Sequence, residues 1–125
     1  MKVLIVDDNS SYRQSLRKLL CQQFPDTEVV EAGSPEEALV QIEKTVPDIL
    51  LIDIDLPGQS GLELTRKVRK ELGSKSIAVI TSHDIPEFRQ AAEESGADYF
   101  FSKISSDIED MLGWIEAASL KISIP

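Results

Sequence analysis

Residues 49–53 read Ile49-Leu50-Leu51-Ile52-Asp53. Four apolar residues in a row do not alternate as a strand with one wet face does. They suit a strand covered on both sides, which is the habit of parallel sheets. The run ends on a carboxylate, so a charged group stands where the strand leaves the core.

The same pattern recurs on either side. Val3-Leu4-Ile5-Val6 ends in Asp7-Asp8, Ile77-Ala78-Val79-Ile80 in Thr81-Ser82, and Tyr99-Phe100-Phe101 in Ser102-Lys103. Glu28-Val29-Val30-Glu31 adds a shorter strand. Helical patterns separate the strands. Tyr12, Leu16, Leu19 and Leu20 share one face after Asn9 or Ser10, either of which can cap the exposed N–H groups. Ser34-Pro35-Glu36-Glu37 opens a second helix with a cap, a first-turn proline and a glutamate; Ala38, Leu39 and Ile42 are its buried face.

Ser60-Gly61-Leu62-Glu63 opens a third helix, with Leu64, Val68 and Leu72 on one face and Gly73 as its stop. Pro57-Gly58 ahead of it makes a turn. Pro86 opens a fourth helix that carries Phe88, Ala91 and Ala92 and stops at Gly96. Ile108, Met111, Leu112 and Ile115 mark a fifth. Strict β–α alternation with right-handed crossovers predicts one open, doubly wound α/β fold, a five-stranded parallel sheet with helices on both faces. Residues 1–119 are read as one domain. Residues 120–125 are a tail or the start of a linker, because no helical period continues past Ala118.

The chain has 125 residues, 13 basic and 22 acidic, for a net charge of −9. That balance disfavours direct nucleic-acid binding, which needs lysine and arginine clusters, and docking on an anionic membrane. No apolar run is long enough to span a bilayer. No export signal is read at the start, so a cytoplasmic setting is expected. Cys21 is the one cysteine; no intrachain disulfide is possible, and a packing role is expected.

In open α/β sheets, sites form at the carboxyl ends of the strands. There the sequence sets Asp7 and Asp8, Asp53, Thr81 and Lys103 on one rim. Alone, Thr81 reads as a capping hydroxyl, Lys103 as a solvated lysine and Asp7-Asp8 as a helix start; together they make a site. Two carboxylates about 4 Å apart repel by on the order of 4 kcal/mol at an effective dielectric near 20. A divalent cation turns that repulsion into affinity, and oxygen-only ligands favour Mg²⁺ (or Mn²⁺). Lys103 can neutralise a phosphoryl oxygen as a point charge, and Thr81 can donate to another. A carboxylate can itself be the nucleophile, in a transfer that depends on positioning and charge neutralisation.

Four stretches in order and with correct spacing resemble the receiver domains of two-component response regulators, over about residues 2–118. They are Val3–Asp8, Leu51–Gly61, Ala78–Ser82 and Gly96–Lys103. The resemblance implies a flavodoxin-like strand order, 2-1-3-4-5. It implies a phosphorylation-controlled switch, part of a transcriptional regulator or a stand-alone receiver. Asp53 would accept the phosphoryl group, with Thr81 and Lys103 contacting it. Asp8 and Asp53 would ligate the metal directly, Asp7 through water and Asp55 through its backbone carbonyl. Thr81 and Phe100 would be the switch pair. A sensor histidine kinase or phosphotransfer protein would be the donor. A homodimer would form through the fourth helix, fifth strand and fifth helix. Such a domain catalyses only its own phosphorylation and dephosphorylation, so it is not an enzyme acting on a separate metabolite.

Two positions depart from the family pattern. Ile104 follows Lys103 where many relatives have proline, and Phe100 stands where many have tyrosine. The ring state of Phe100 therefore cannot rest on a hydrogen bond at its tip. Asp55 is read with its side chain to solvent, and His83 as an exposed histidine. One alternative is a haloacid-dehalogenase-like phosphohydrolase, since Asp53-Ile54-Asp55 mimics its D-x-D signature. That motif normally ends a first strand, and no cap domain is present. A flavodoxin-like FMN binder is disfavoured because Asp7-Asp8 would repel its phosphate.

Overall fold

The computed structural model describes residues 1–56, 58, 60–73 and 75–122. Ten elements alternate strictly. They are β1 (Lys2–Val6), α1 (Ser10–Gln23), β2 (Glu28–Ala32), α2 (Pro35–Lys44), β3 (Ile49–Asp53), α3 (Gly61–Leu72), β4 (Ser76–Thr81), α4 (Pro86–Glu94), β5 (Tyr99–Ser102) and α5 (Ile108–Ile122). The five strands form one parallel sheet in the order β2-β1-β3-β4-β5. The predicted doubly wound fold is thus what the chain adopts.

The sheet buries both faces, as the continuous apolar runs require. Val3, Ile5, Ile49, Leu51, Ala78 and Ile80 pack with Leu16 and Leu20 of α1 and with Met111 and Ile115 of α5. Their chain neighbours Leu4, Val6, Leu50, Ile52 and Ile77 turn to the other side, against Ala38 of α2 and Leu64 and Val68 of α3. Ile54 and Val79 meet Ala92 of α4. Period-two alternation sends each strand's residues to both layers, so the runs 3–6, 49–52 and 77–80 of β1, β3 and β4 are apolar throughout.

The helix starts follow local chemistry. Asn9 caps α1 by accepting from the Tyr12 N–H at 3.1 Å. Ser34 caps α2 through the Glu37 N–H, and Glu37 in turn accepts from the Gly33 N–H at 2.7 Å. Ser60 caps α3. Gly73 (φ +68°) and Gly96 (φ +99°) take left-handed conformations at the ends of α3 and α4, which glycine adopts without strain. Pro57 of the expected Pro57-Gly58 turn lies outside the described residues.

Two expectations are corrected. Cys21 is exposed; it follows the buried Leu20, and one helical step of about 100° rotates it off the core face. The period that fades after Ala118 does not end the helix, since α5 continues to Ile122, into the stretch read as a tail. Helix propagation gains a backbone hydrogen bond per residue without needing an apolar partner, so the lost period did not mark its end. Residues 123–125 of that tail lie outside the described residues. Among the described residues, no helix is long and apolar enough to cross a membrane.

Candidate functional site on the carboxyl rim

The parallel sheet brings the ends of β1, β3, β4 and β5 to one edge. Asp7 and Asp53 are buried there, at 1% and 4% relative exposure. Asp8, one residue on, is exposed. Asp7, Asp8 and Asp53 each offer a carboxylate oxygen, and the three oxygens lie within 4.8 Å of one another.

Asp7 is held on both oxygens. One accepts the Asn9 N–H at 2.9 Å, and the other accepts Lys103 Nζ at 2.6 Å. Arg13 donates to the Asp7 backbone carbonyl and pairs with Glu31 at 3.0 Å, which ties α1 and β2 to the same corner. Lys103 Nζ stands 3.7 Å from Asp53 Oδ2. The other Asp53 oxygen, Oδ1, is buried and has no hydrogen-bond partner among the described residues.

Burial pushes the Asp53 carboxyl up to about 7. Repulsion from Asp7 adds to the rise, while Lys103 and the Asp55 backbone N–H pull against it. A buried, half-unpartnered carboxylate is costly, and native proteins pair such groups or neutralise them. The donor set fits a hard divalent cation: oxygens only, three negative charges, and one oxygen still to be satisfied. A groove of about 830 Å³ between α1 and α5, lined by Leu19, Phe24 and Leu112 among others, contains none of these groups. A divalent cation is held by clustered carboxylate oxygens, so the acidic rim is the better candidate.

Thr81 is fully buried at the end of β4. Its Oγ1 accepts the His83 N–H at 2.9 Å, which leaves the hydroxyl proton to donate. The Lys103 N–H donates to the Thr81 carbonyl at 2.8 Å and locks the two strand ends together. Gly61 shapes the floor. A Cβ on it would sit 1.8 Å from the Asp53 carbonyl oxygen, and its N–H reaches the Ile54 carbonyl at 2.9 Å. Only a residue without a side chain lets the start of α3 approach β3 so closely.

The Asp55 side chain stays outside the carboxylate cluster, half exposed, with an oxygen 3.3 Å from His83 Nδ1. Both were expected to face solvent; they do, and they also touch each other. Phe100 is half-buried beside Ile54 and Val79. The Arg89 guanidinium lies over its ring, 4.6 Å from the centroid. Asp84 grips Arg89 at 2.7 and 2.9 Å, and Ser105 donates to Asp84 at 2.8 Å. Among the described residues every peptide bond is trans, including that between Lys103 and Ile104.

Sequence reasoning missed three contributors. Arg13 and Arg89 carried no motif that singled them out. Tyr12 looked like core, yet Lys103 Nζ lies 4.2 Å from its ring centroid. Its phenol is pushed up to about 12 by burial and by the charges of Asp7 and Asp53. A tyrosine four positions after an acidic strand end was the available signal.

Five parallel strands in this order, with an acidic and lysine-bearing carboxyl edge, define a doubly wound signalling-type α/β domain. The chain belongs to the response regulator receiver domain family, whose model matches residues 3–115. It is 37% identical over 106 residues to the transcriptional activator protein ExaE of Pseudomonas putida. The match covers 85% of this chain and 50% of that protein, so the chain spans about half the length of such curated relatives. A two-component response regulator of the LuxR family from an Aurantimonas species superposes with a TM-score of 0.83 at 36% identity, over 93% of this chain and 82% of that one. The response regulator TrrA of Thermotoga maritima, solved in complex with Mg²⁺-BeF, superposes with a TM-score of 0.81 at 26% identity, over 94% and 97% of the two chains. The chain is therefore a receiver domain of two-component signalling, homologous to transcription regulators. The phosphohydrolase alternative gains no support from these matches.

Proposed function

We propose that Asp53 is the phosphoacceptor, and that Asp7, Asp8 and Asp53 hold a divalent cation, Mg²⁺ by preference, with the Asp55 backbone carbonyl as a further ligand. The observation that carries this reading is the unpartnered, buried Asp53 Oδ1 beside two more carboxylates and an ammonium. Asp8 and Asp53 have oxygens to offer, whereas both oxygens of Asp7 already accept hydrogen bonds, which suits a role through water. When bound, the cation supplies charge neutralisation for the carboxylates and for incoming phosphoryl oxygens.

An Asp53 carboxylate oxygen attacks the phosphorus of a phosphohistidine donor. The P–N bond breaks, and the leaving imidazole takes up a proton. Lys103 neutralises one phosphoryl oxygen and Thr81 donates to another. Thr81 and Phe100 carry the change outward, with Arg89 as the contact that Phe100 must renegotiate. The donor is a sensor histidine kinase or a phosphotransfer protein. The output is a transcription-regulating unit, as ExaE suggests, reached in the cytoplasm through a changed surface or a dimer on α4, β5 and α5. No separate metabolite is turned over. Intact-mass spectrometry with Mg²⁺ and acetyl phosphate tests this reading. Wild type gains one phosphoryl group; Asp53→Ala and chelator-treated protein gain none. A mutant that gains as much as wild type removes Asp53 from the role.

A further inference from the structure

We infer that Tyr12 is a positioning residue for the transfer step: the face of its ring holds the Lys103 ammonium in place beside Asp53. The inference rests on the roles proposed above for Lys103 and Asp53.

A lysine reaches its target on a flexible four-carbon stem, so its ammonium must be fixed from more than one side. Asp7 fixes it on one side, at 2.6 Å. The Tyr12 ring fixes it on another, with Nζ 4.2 Å from the centroid. An aromatic face carries negative electrostatic potential and attracts a cation at that distance. The next side chain along, Ile104, is 78% exposed and packs little against the lysine stem.

The hydroxyl is not what this position uses. Tyr12 Oη is buried with no hydrogen-bond partner among the described residues, whereas a buried hydroxyl kept for its polarity normally has one. Packing alone does not require a ring, since the cluster that Tyr12 touches is otherwise made largely of aliphatic side chains. Leucine would fill much of the space, but only an aromatic face adds attraction for the ammonium. The carboxylates alone would draw Lys103 toward whichever oxygen is most charged; the ring keeps it in one place as that charge changes during transfer.

Tyr12→Phe, Tyr12→Leu and Tyr12→Met test this with two readouts. The first is the rate of phosphorylation by acetyl phosphate with Mg²⁺; the second is the proton NMR shift of the Lys103 ε-methylene. Tyr12→Phe keeps the ring-current upfield shift and a rate close to wild type. The non-aromatic variants lose the shift and about tenfold in kcat/KM, or about 1.4 kcal/mol. Should Tyr12→Leu not fold, the more adaptable Tyr12→Met carries the comparison. Equal rates in wild type and the folded non-aromatic variants would overturn the inference, and so would equal slowing of Tyr12→Phe and Tyr12→Met. An unshifted Lys103 resonance in wild type overturns it even if phosphorylation proceeds normally. Wild type that shows the shift but takes no phosphoryl group counts against the Asp53 reading, and leaves the ring contact standing.

Discussion

Lys103 leans on Asp7. Its Nζ donates to Asp7 Oδ2 at 2.6 Å, while the nearer Asp53 oxygen stands 3.7 Å away. The lysine of the fifth strand therefore braces the carboxylate of the first, and Asp53 between them keeps one oxygen unclaimed.

That brace makes Lys103→Met destabilising in the metal-free protein. Asp7 is 1% exposed, and removing its partner leaves a buried charge uncompensated, at a loss of about 3–5 kcal/mol. Urea denaturation in chelator reads the loss directly. A change below about 1 kcal/mol, the scale of a surface pair, would show that the pair is solvated in solution.

Asp53 gives the stability a pH dependence. Its carboxyl is raised from the ordinary value of 3.8 to about 7 in the folded, metal-free protein. The native state thus holds a proton that the unfolded chain releases earlier. The Asp53 contribution is fully retained below about pH 4, falls as pH rises through about 7, and then levels, a loss on the order of 4 kcal/mol. Asp53→Asn removes this component, so the variant is more stable than wild type at pH 8 in chelator and about equal near pH 4. Parallel stability curves for the two proteins from pH 4 to 8 would contradict the assignment.

Divalent metal reverses that penalty. At pH 8 and a hundredfold excess over Kd, Mg²⁺ stabilises the folded protein by about 2.7 kcal/mol; below the Asp53 value of about 7, calorimetry records proton release on binding as Asp53 ionises. Asp8→Asn removes most of the effect while barely changing metal-free stability, because Asp8 is exposed. An unaltered Mg²⁺ response in Asp8→Asn would place the ion elsewhere.

Two glycines give opposite outcomes. Gly61→Ala forces a Cβ to within 1.8 Å of the Asp53 carbonyl oxygen and costs roughly 1–3 kcal/mol as backbone shifts to relieve the clash. It also displaces Asp53, the proposed acceptor, so phosphorylation is expected to slow. Gly113→Ala meets nothing within 4 Å on the exposed side of α5 and stabilises by about 0.5–1 kcal/mol. Melting temperatures of the two variants decide both claims.

The strands were legible because the runs 3–6, 49–52 and 77–80 within β1, β3 and β4 are short, wholly apolar and closed by polar residues, a pattern that only a sheet covered on both faces explains. The strand order was not legible from periodicity; it came with the resemblance. Asp7, Asp8, Asp53, Thr81 and Lys103 were legible because the fold places every strand's end on one rim. What stayed hidden is tertiary. Tyr12 meets Lys103 across most of the chain's length, and Arg89 covers Phe100 from another element. A one-residue rotation also separates the buried Leu20 from the exposed Cys21, and a pattern that counts apolar residues does not resolve that step.

The central claim is that the phosphoryl group is carried by Asp53, and reduction of the phosphorylated protein tests it most directly. Borohydride converts an aspartyl phosphate to homoserine, and peptide mass spectrometry then locates the changed residue. Homoserine at position 53, absent without Mg²⁺, is the expected result. Homoserine at position 7, 8 or 55 with Asp53 intact, or a phosphoryl group that survives on another residue, would contradict the account.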